Sequence, residues 1–287
     1  MKKLIVITGP TASGKTALAI KLAKRFNGEI ISADSRAIYK GIDIASAKPS
    51  LEEREGVPHW GFDLAEPDQT FTAADFKKYA FEKISEIHSR RKIPFLVGGT
   101  GLYIDAILYD YDFAGEPDEE LRAELNSKSI EELQEVIGNL RIEMPENYKN
   151  KRYLIRAIER SKKHKGNSGK KHNGFNNVVV GITTERDKLR TRIFARNEQF
   201  FSSGIIKEAQ KMARKYGWQS EAMTANAYPL IKDFLDEKLT EEELIEKMSV
   251  RDWRLAKRQI TFMKRNKDIK WLTLGKAEQY ISSKMNK

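Results

Sequence analysis

The segment from Gly9 to Thr16 constrains this chain more than any other part of it. Its sequence, Gly-Pro-Thr-Ala-Ser-Gly-Lys-Thr, has the spacing of a P-loop. The short apolar run Lys3–Thr8 precedes it, and residues 14–27 carry apolar side chains at helical spacing after it. A glycine loop between a strand and a helix lets backbone amides surround phosphate oxygens. We therefore predict a phosphate-binding loop rather than a merely structural turn, with Lys15 supplying a positive charge and Thr16 a hydroxyl for Mg²⁺.

Strands and helices alternate along the first part of the chain. Apolar runs at 29–33, 93–97 and 178–183 read as further strands, and residues 73–91 read as an amphipathic helix. This alternation predicts an α/β fold, a P-loop NTPase-like parallel sheet flanked by helices. We expect the strand that ends at Asp34 to lie next to the P-loop strand. Ligands of such sheets gather at the carboxyl ends of the strands.

The helix-forming segment 111–177 interrupts this pattern. We expect two parts, a catalytic core formed by 1–110 and 178–287 and a helical insertion domain formed by 111–177. The end of the insertion, 161–177, is rich in Lys, Gly, Ser and Asn and predicts an exposed loop. Helical stretches are expected at 187–216 and 241–264, then a strand at 269–274 and a helix at 277–285.

The composition indicates a soluble, basic protein. The net charge is +11, of which +2 falls on residues 1–110 and +9 on residues 111–287. A basic C-terminal part favours a polyanionic partner such as nucleic acid, and a solvated basic surface is the equally weighted alternative on charge alone. The chain has no Cys, which excludes disulfides and Cys-ligated zinc, and it has no apolar run long enough to span a membrane. We expect a cytoplasmic location.

Two further strand ends carry polar groups. Asp34 follows the second strand and could act as a base or hold the water of a metal ion, but a helix N-cap is the more common role of such an Asp. The segment Gly98-Gly99-Thr100 follows the third strand, so the Thr100 hydroxyl should face the same crevice.

Basic residues recur on two predicted helices. Arg186, Arg190, Arg192 and Arg196 lie on one of them; Arg192 and Arg196 are four positions apart and therefore share a face, and guanidinium groups suit a diphosphate through paired hydrogen bonds. The segment 257–265 mixes basic, amide and aromatic side chains, as RNA contacts do. A solvated or ordinary amphipathic helix is the alternative in each case.

Taken together, these segments resemble the bacterial tRNA dimethylallyltransferase (tRNA isopentenyltransferase) family. The resemblance extends from the first strand to about Arg265 and depends on motifs that occur in the family's order: the P-loop, Ile31–Ser35, Tyr39–Ile44, Ala47–Pro49, Val57–His59, Leu96–Tyr103 and Lys257–Thr261.

The resemblance implies an activity and a set of site residues. Members transfer a dimethylallyl group from dimethylallyl diphosphate to N6 of the adenosine 3′-adjacent to the anticodon of tRNA, and release diphosphate. It implies Mg²⁺ as cofactor, the tRNA anticodon stem-loop as partner, no membrane association and a monomer. The catalytic residues would be Asp34 as general base, Thr100 and Arg196. The diphosphate would bind to Gly9, Pro10, Thr11, Ala12, Ser13, Gly14, Lys15, Thr16 and Arg192, with the metal at Thr16. The tRNA would contact Asp34, Ser35, Arg36, Ala37, Thr100, Arg122, Lys257, Arg258 and Gln259.

The sequence departs from the family pattern at several positions. Arg36-Ala37 follows Asp34-Ser35 where another pair is common, Trp60 replaces a second histidine, Ala227 replaces a glycine before Tyr228, and Pro229 follows. These departures indicate a diverged branch of the family, for which a paralogue is one alternative.

Two other functions remain as alternatives. A small-molecule kinase would use the same P-loop and strand-end Asp, although the basic C-terminal part and the segment 257–265 argue against it. An RNA-binding protein with an inactive site would bind tRNA without transferring a prenyl group. A transfer assay separates all three.

Overall fold

This computed structural model describes residues 2–111, 113, 118–163, 174–224 and 227–286. It divides into two compact units, Met1–Asp110 with His172–Lys287 and Tyr111–Lys171. The second unit begins at the same residue as the expected insertion, 111–177, but ends before it. Residues from Asn176 onward already belong to a strand of the core sheet.

The core of the first unit is a six-stranded sheet in which every pair of neighbours is parallel. The strands are β1 (Lys3–Thr8), β2 (Gly28–Ser32), β3 (His59–Trp60), β4 (Ile93–Gly98), β5 (Asn176–Ile182) and β6 (Lys270–Leu272), in the order β3-β2-β4-β1-β5-β6. The central strands β1 and β4 are buried after their first residue and mainly apolar, as expected for a sheet covered on both faces.

Helices cover both faces of this sheet. Those of the first unit are α1 (Lys15–Arg25), α2 (Ala73–Ser89), α3 (Gly101–Leu108), α7 (Arg186–Ser202), α8 (Ile205–Tyr216), α9 (Tyr228–Leu235), α10 (Glu241–Met263) and α11 (Leu274–Met285). Helices α1 and α11 share one apolar cluster with alternate residues of β1, β4 and β5. Side chains alternate between the two faces of a strand, so the buried Leu4 and Val6 point to the opposite face, where α2 and α3 pack.

The second unit is helical. It contains α4 (Glu119–Ser127), α5 (Ile130–Asn139) and α6 (Lys151–Lys163), joined by an apolar cluster of its own. Asp118 and Ser129 cap the first two helices by accepting hydrogen bonds from backbone amides. Residues 161–163, expected in a loop, instead continue α6, while residues 164–173 of that loop lie outside the described residues.

The predicted fold class is confirmed, but one expectation about the sheet is wrong. Strand β2 does not lie next to β1, because β4 pairs with both and separates them. The carboxyl ends still meet at one edge, since Thr8 is in register with Gly98 and Ser32 with Val97. The structure also contains α3, α9 and the short β3, which the sequence patterns did not predict. No helix in the described part of the chain is long and apolar enough to cross a membrane.

Candidate active site

The P-loop follows β1 directly and runs into the first turn of α1. Gly14 precedes α1 with φ +87°, a left-handed conformation that favours glycine, and a Cβ there would approach Leu274 Cδ1 to 2.9 Å. No described side chain caps α1, so the first amides of the helix remain available to an anion. The hydroxyl of Ser13 is buried without a hydrogen-bond partner among the described residues. This loop therefore has the local features of a phosphate site.

Lys15 is buried among the groups that surround the P-loop. Its ammonium group donates a hydrogen bond to the Pro10 carbonyl at 3.3 Å. Burial lowers the pKa of Lys15 to about 8; the nearby Asp34 carboxylate opposes this shift and the Arg196 guanidinium adds to it. A bound anion would stabilise the charged form of this buried lysine further.

Arg196 reaches the P-loop from α7. One terminal nitrogen of its guanidinium donates to the Thr11 hydroxyl, and the other donates to the Asp252 carboxylate at 2.7 Å. Its Nε atom is buried and has no partner in the described structure. The guanidinium carbon lies 5.2 Å from the centre of the Phe200 ring. The sequence reasoning thus identified the arginine at the P-loop but missed Asp252, which holds it there.

Arg192 lies elsewhere. It lines a shallow surface cavity together with Ala12 and Leu274, and it does not line either cavity that contains Asp34. Arg196 borders this outer cavity as well, because the two arginines share a face of α7.

Asp34 stands at the junction of two adjoining cavities. The first, called here the P-loop cavity, has a volume of about 200 Å³ and is lined by residues 11–16, by Ser46–Pro49 and by His59 and Phe62. The second, called here the Thr100 cavity, is lined by Thr100, Arg36, Arg258 and Gln259. Asp34 lines both, as do Lys15 and Arg196. A carboxylate in this position faces both a phosphate site and a second, differently lined space.

The local contacts of Asp34 differ from those of a helix cap. Its carboxylate accepts a hydrogen bond from the Arg36 amide at 2.9 Å, and residues 35–38 form a turn rather than a helix. The Ser35 amide in turn donates to the Thr100 hydroxyl at 3.0 Å. These bonds tie the end of β2 to the end of β4, so Asp34 and Thr100 are held close to one another.

Gln259 joins three parts of the site. Its side-chain oxygen accepts a hydrogen bond from the Thr11 amide at 2.9 Å. A Cβ on Gly99 would lie 2.3 Å from the Gln259 side-chain nitrogen, so only glycine leaves room for this amide. Arg258 is exposed at the rim of the Thr100 cavity, and Lys257 is exposed on the surface of α10. Arg122 belongs to the second unit, where it forms a two-pronged ion pair with Glu159.

The segment Gly41–Pro49, called here the wall, contributes residues 45–49 to the lining of the two cavities. Glu208 on α8 accepts hydrogen bonds from three consecutive amides in it, those of Asp43 and Ile44 at 2.8 and 2.7 Å and that of Ala45 at 3.0 Å. The Tyr228 hydroxyl also donates to Glu208, at 2.8 Å. Sequence patterns did not reveal Glu208, because the backbone amides that it binds lie more than 160 positions away.

Lys48 anchors the same wall from within. Its side chain is only 3 % exposed, and its ammonium group binds both Asp43 and Asp63. The same group donates to the Tyr39 carbonyl at 2.7 Å. The wall is therefore fixed both by backbone hydrogen bonds to Glu208 and by the ion pairs of Lys48.

The positions that depart from the family pattern have clear local roles. Arg36 donates weakly to the Glu221 carbonyl at 3.4 Å and lines the Thr100 cavity. The Trp60 indole donates to the buried Glu29 at 2.7 Å. Ala227 is buried at the start of α9, and Pro229 occupies the first turn of that helix, where its missing amide hydrogen has no cost. Residues 225 and 226, beside them, lie outside the described structure.

A glycine-rich loop with its lysine, placed between the first strand and first helix of a parallel sheet, defines this chain as a P-loop α/β protein. It belongs to the IPP transferase family, whose family model matches residues 37–266. The family resemblance of the sequence is thereby confirmed, and the chain is a transferase of that family.

Relatives and solved structures agree along almost the full chain. A tRNA dimethylallyltransferase of Acetivibrio thermocellus is 39% identical, with 95% of this chain and 92% of the relative covered. One of Halalkalibacterium halodurans is 37% identical, with 95% and 91% covered. The crystal structure of a tRNA isopentenylpyrophosphate transferase from Bacillus halodurans has a TM-score of 0.75 and 34% identity, covering 100% of this chain and 97% of that one. The structural match covers the whole chain and so includes the P-loop and Asp34, which precede the segment matched by the family model.

Proposed function

We propose that this chain transfers a dimethylallyl group from dimethylallyl diphosphate to N6 of the adenosine 3′-adjacent to the anticodon in tRNA, with release of diphosphate. Relatives that are 37% and 39% identical are named tRNA dimethylallyltransferases. The observation that carries the proposal is the position of Asp34, which lines both the P-loop cavity and the Thr100 cavity. A prenyl diphosphate and a nucleobase in these two cavities would meet beside one carboxylate.

The diphosphate fits the P-loop side of the site. Lys15 and Arg196 both line the P-loop cavity, and the Ser13 hydroxyl and the Arg196 Nε have no partner within the described chain. These groups would hold the two phosphates through charge-assisted hydrogen bonds. The same groups stabilise the negative charge that builds up on the diphosphate as the carbon–oxygen bond breaks, which is the main electrostatic contribution to such a reaction.

The residues at this side also fit a Mg²⁺ ion. The Thr16 hydroxyl lines the P-loop cavity together with the Asp34 carboxylate, and oxygen ligands of this kind suit Mg²⁺. No group of three or more His, Asp or Glu residues in the described chain could hold a metal without help, so substrate oxygens and water would complete the coordination. When bound, the ion would neutralise part of the charge of the leaving diphosphate.

Proton transfer is assigned to Asp34. The N6 amine of adenine attacks the first carbon of the prenyl group, and the bond from that carbon to the diphosphate oxygen breaks. The amine must lose one proton, and the Asp34 carboxylate takes it as general base. The Thr100 hydroxyl, which is within hydrogen-bonding distance of the Ser35 amide and lines the same cavity, is proposed to orient the amine.

The target adenosine must leave the anticodon loop to reach this position, as bases do in other base-modifying enzymes. Arg36, Arg258 and Gln259 line the Thr100 cavity and are proposed to contact the extruded nucleotide. Ser35 and Ala37 belong to the same turn, and Lys257 and Arg122 are proposed to contact the RNA further away.

The test is a transfer assay with labelled dimethylallyl diphosphate, unmodified tRNA and Mg²⁺. The proposal predicts label in the tRNA and one diphosphate released per group transferred. Asp34→Asn should abolish incorporation, whereas Asp68→Asn, which removes an exposed carboxylate, should leave it unchanged. Absence of label in tRNA, together with ATP-dependent phosphorylation of a small metabolite, would contradict the proposal and favour a kinase. Binding of tRNA without transfer would favour an inactive RNA-binding protein.

A further inference from the structure

Three cations surround the indole ring of Trp253 on α10. The guanidinium carbons of Arg186 and Arg190, on α7, lie 5.6 and 4.9 Å from the ring centre, and the ammonium nitrogen of Lys257 lies 6.0 Å from it. Arg186 and Arg190 are four positions apart on α7, as Trp253 and Lys257 are on α10, so each pair shares a helix face. These four residues are called here the Trp253 surface.

The cations of the Trp253 surface are exposed. Among the described residues, Arg186, Arg190 and Lys257 make no ion pair or side-chain hydrogen bond. By contrast, Arg196, on the same helix as the two arginines, forms an ion pair with Asp252. Like charges gathered around one aromatic ring repel each other, and an external anion would relieve that repulsion. The arrangement therefore favours an anionic partner.

The Trp253 surface is continuous with the candidate active site. The inner part of the Trp253 ring packs against a small apolar cluster of Leu189, Ile193 and Ala256, and Ala12 of the P-loop packs on the same cluster. Arg258 and Gln259, which follow Lys257 on α10, line the Thr100 cavity with Asp34. Arg258 adds another exposed cation without a partner in the described structure. An anionic chain that enters the Thr100 cavity would therefore pass beside this surface.

We propose that the Trp253 surface binds the sugar–phosphate backbone of the tRNA next to the nucleotide that is modified. This inference rests on the proposed function, since it takes tRNA as the substrate. Cations spread over two helices match phosphates spaced along a strand, whereas the proposed site of the single diphosphate is the P-loop cavity, which Lys15 and Arg196 line. An aromatic ring between such cations is a common feature of surfaces that bind single-stranded nucleic acid. Arg186, Arg190 and Trp253 are added in this way to the expected RNA contacts.

The test measures the affinity for an unmodified tRNA transcript as a function of salt concentration. The double variant Arg186→Gln/Arg190→Gln should bind the transcript about tenfold more weakly than wild type at about 0.1 M salt. The slope of log affinity against log salt should decrease by about 1.5 to 2, because two phosphate contacts are lost. The KM for dimethylallyl diphosphate should remain unchanged, since neither arginine lines the P-loop cavity.

A matched control removes the same amount of charge elsewhere. Lys78→Gln/Lys276→Gln eliminates two exposed lysines, on α2 and α11, that line neither cavity containing Asp34. The control should lower the salt slope by much less than the arginine pair. Equal losses in the two variants would mean that only net charge matters, and would overturn the proposal.

Two substitutions of Trp253 separate its aromatic character from its packing. Trp253→Phe keeps an aromatic ring and should retain tRNA affinity within about threefold, while Trp253→Leu should weaken it further. Equal affinity of the two variants would contradict the aromatic part of the proposal. Because binding is measured without chemistry, a wild type that binds tRNA through these arginines but transfers nothing would refute only the proposed function. If the wild type transfers the prenyl group, and Arg186→Gln/Arg190→Gln has the same tRNA affinity and salt slope as the wild type, only the proposal for the Trp253 surface is refuted.

Discussion

Arg196 donates a hydrogen bond to Asp252 at 2.7 Å, and through this ion pair α10 holds the arginine of α7 against the P-loop. The side chains of the two residues are only 20% and 13% exposed, and Asn197 also contacts the Asp252 carboxylate, at 3.4 Å. The pair is therefore a structural support of the phosphate site, in addition to whatever Arg196 does with a substrate.

Removing Asp252 should destabilise the protein. Asp252→Ala leaves the Arg196 guanidinium partly buried without its carboxylate, which should lower the free energy of unfolding by about 2 kcal/mol. In a double-mutant cycle with Arg196→Ala, urea unfolding should give a coupling energy of about 1 to 2 kcal/mol. Asp236→Ala, which breaks an exposed pair with Lys238, is the control and should have almost no effect. A coupling energy near zero would mean that the pair does not support the site.

The lowered pKa of Lys15 should make the binding of diphosphate depend on pH. Its pKa is lowered to about 8, mainly by burial, and only the charged form attracts an anion. The affinity for inorganic diphosphate, measured by calorimetry in EDTA, should therefore fall about tenfold between about pH 7.5 and pH 9. Lys15→Met is the control, because the ionisation of diphosphate itself affects both proteins equally. This variant should bind diphosphate weakly, and its affinity should lack the decrease that the titration of Lys15 causes. Parallel pH profiles for the two proteins would show that Lys15 does not carry this dependence.

Asp34 should affect catalysis and not RNA affinity. The Asp34→Asn side chain retains the oxygen that accepts the Arg36 amide, but it cannot take a proton, so kcat should fall by about 10²-fold to 10⁴-fold. The dissociation constant for tRNA should change less than threefold. A variant that keeps kcat and loses tRNA affinity would assign Asp34 to RNA binding instead.

Glu208 should keep the wall of the candidate active site in place, although it does not line either cavity that contains Asp34. Glu208→Gln places an amide group where three backbone amides and the Tyr228 hydroxyl donate, so at least one of these bonds must be lost. Burial and the Glu208 charge raise the pKa of Tyr228, which keeps its hydroxyl protonated as a donor. We expect faster hydrogen exchange at residues 43–45 and a KM for dimethylallyl diphosphate about tenfold higher, with kcat within about threefold.

The control for Glu208 is Tyr228→Phe, which removes one donor and leaves the three backbone contacts in place. Its effects on exchange and KM should be smaller than those of Glu208→Gln. If Glu208→Gln only lowered the melting temperature and changed neither exchange at residues 43–45 nor KM, the residue would be an ordinary structural contact.

Local patterns predicted much of the fold. The P-loop and its flanking strand and helix are encoded in consecutive residues, and the strands β1, β2 and β4 follow from short, mainly apolar runs. The helical stretch expected at 187–216 is present but divided at Gly204, whose φ of +96° starts a second helix, α8. The order of the strands could not be predicted, because an apolar run does not specify its neighbour and β4 lies between β1 and β2.

The sequence predicted the main residues of the candidate site but not the residues that hold them in place. Motifs identify Lys15 within the P-loop, and Asp34 and Thr100 just beyond the carboxyl ends of β2 and β4. Asp252 and Glu208 act on partners far away in the chain, and each stands on an ordinary amphipathic helix with no local signal. The roles assigned to the site residues, the monomeric state and the cytoplasmic location remain predictions.

The most direct test of the central claim is to locate the product on the RNA. An unmodified tRNA transcript is treated with the protein, dimethylallyl diphosphate and Mg²⁺, digested to short fragments and analysed by tandem mass spectrometry. We predict one dimethylallyl group, on N6 of the adenosine 3′-adjacent to the anticodon, and none with Asp34→Asn. A prenyl group at another nucleotide, or unmodified RNA alongside phosphate transfer from ATP to a metabolite, would contradict the account.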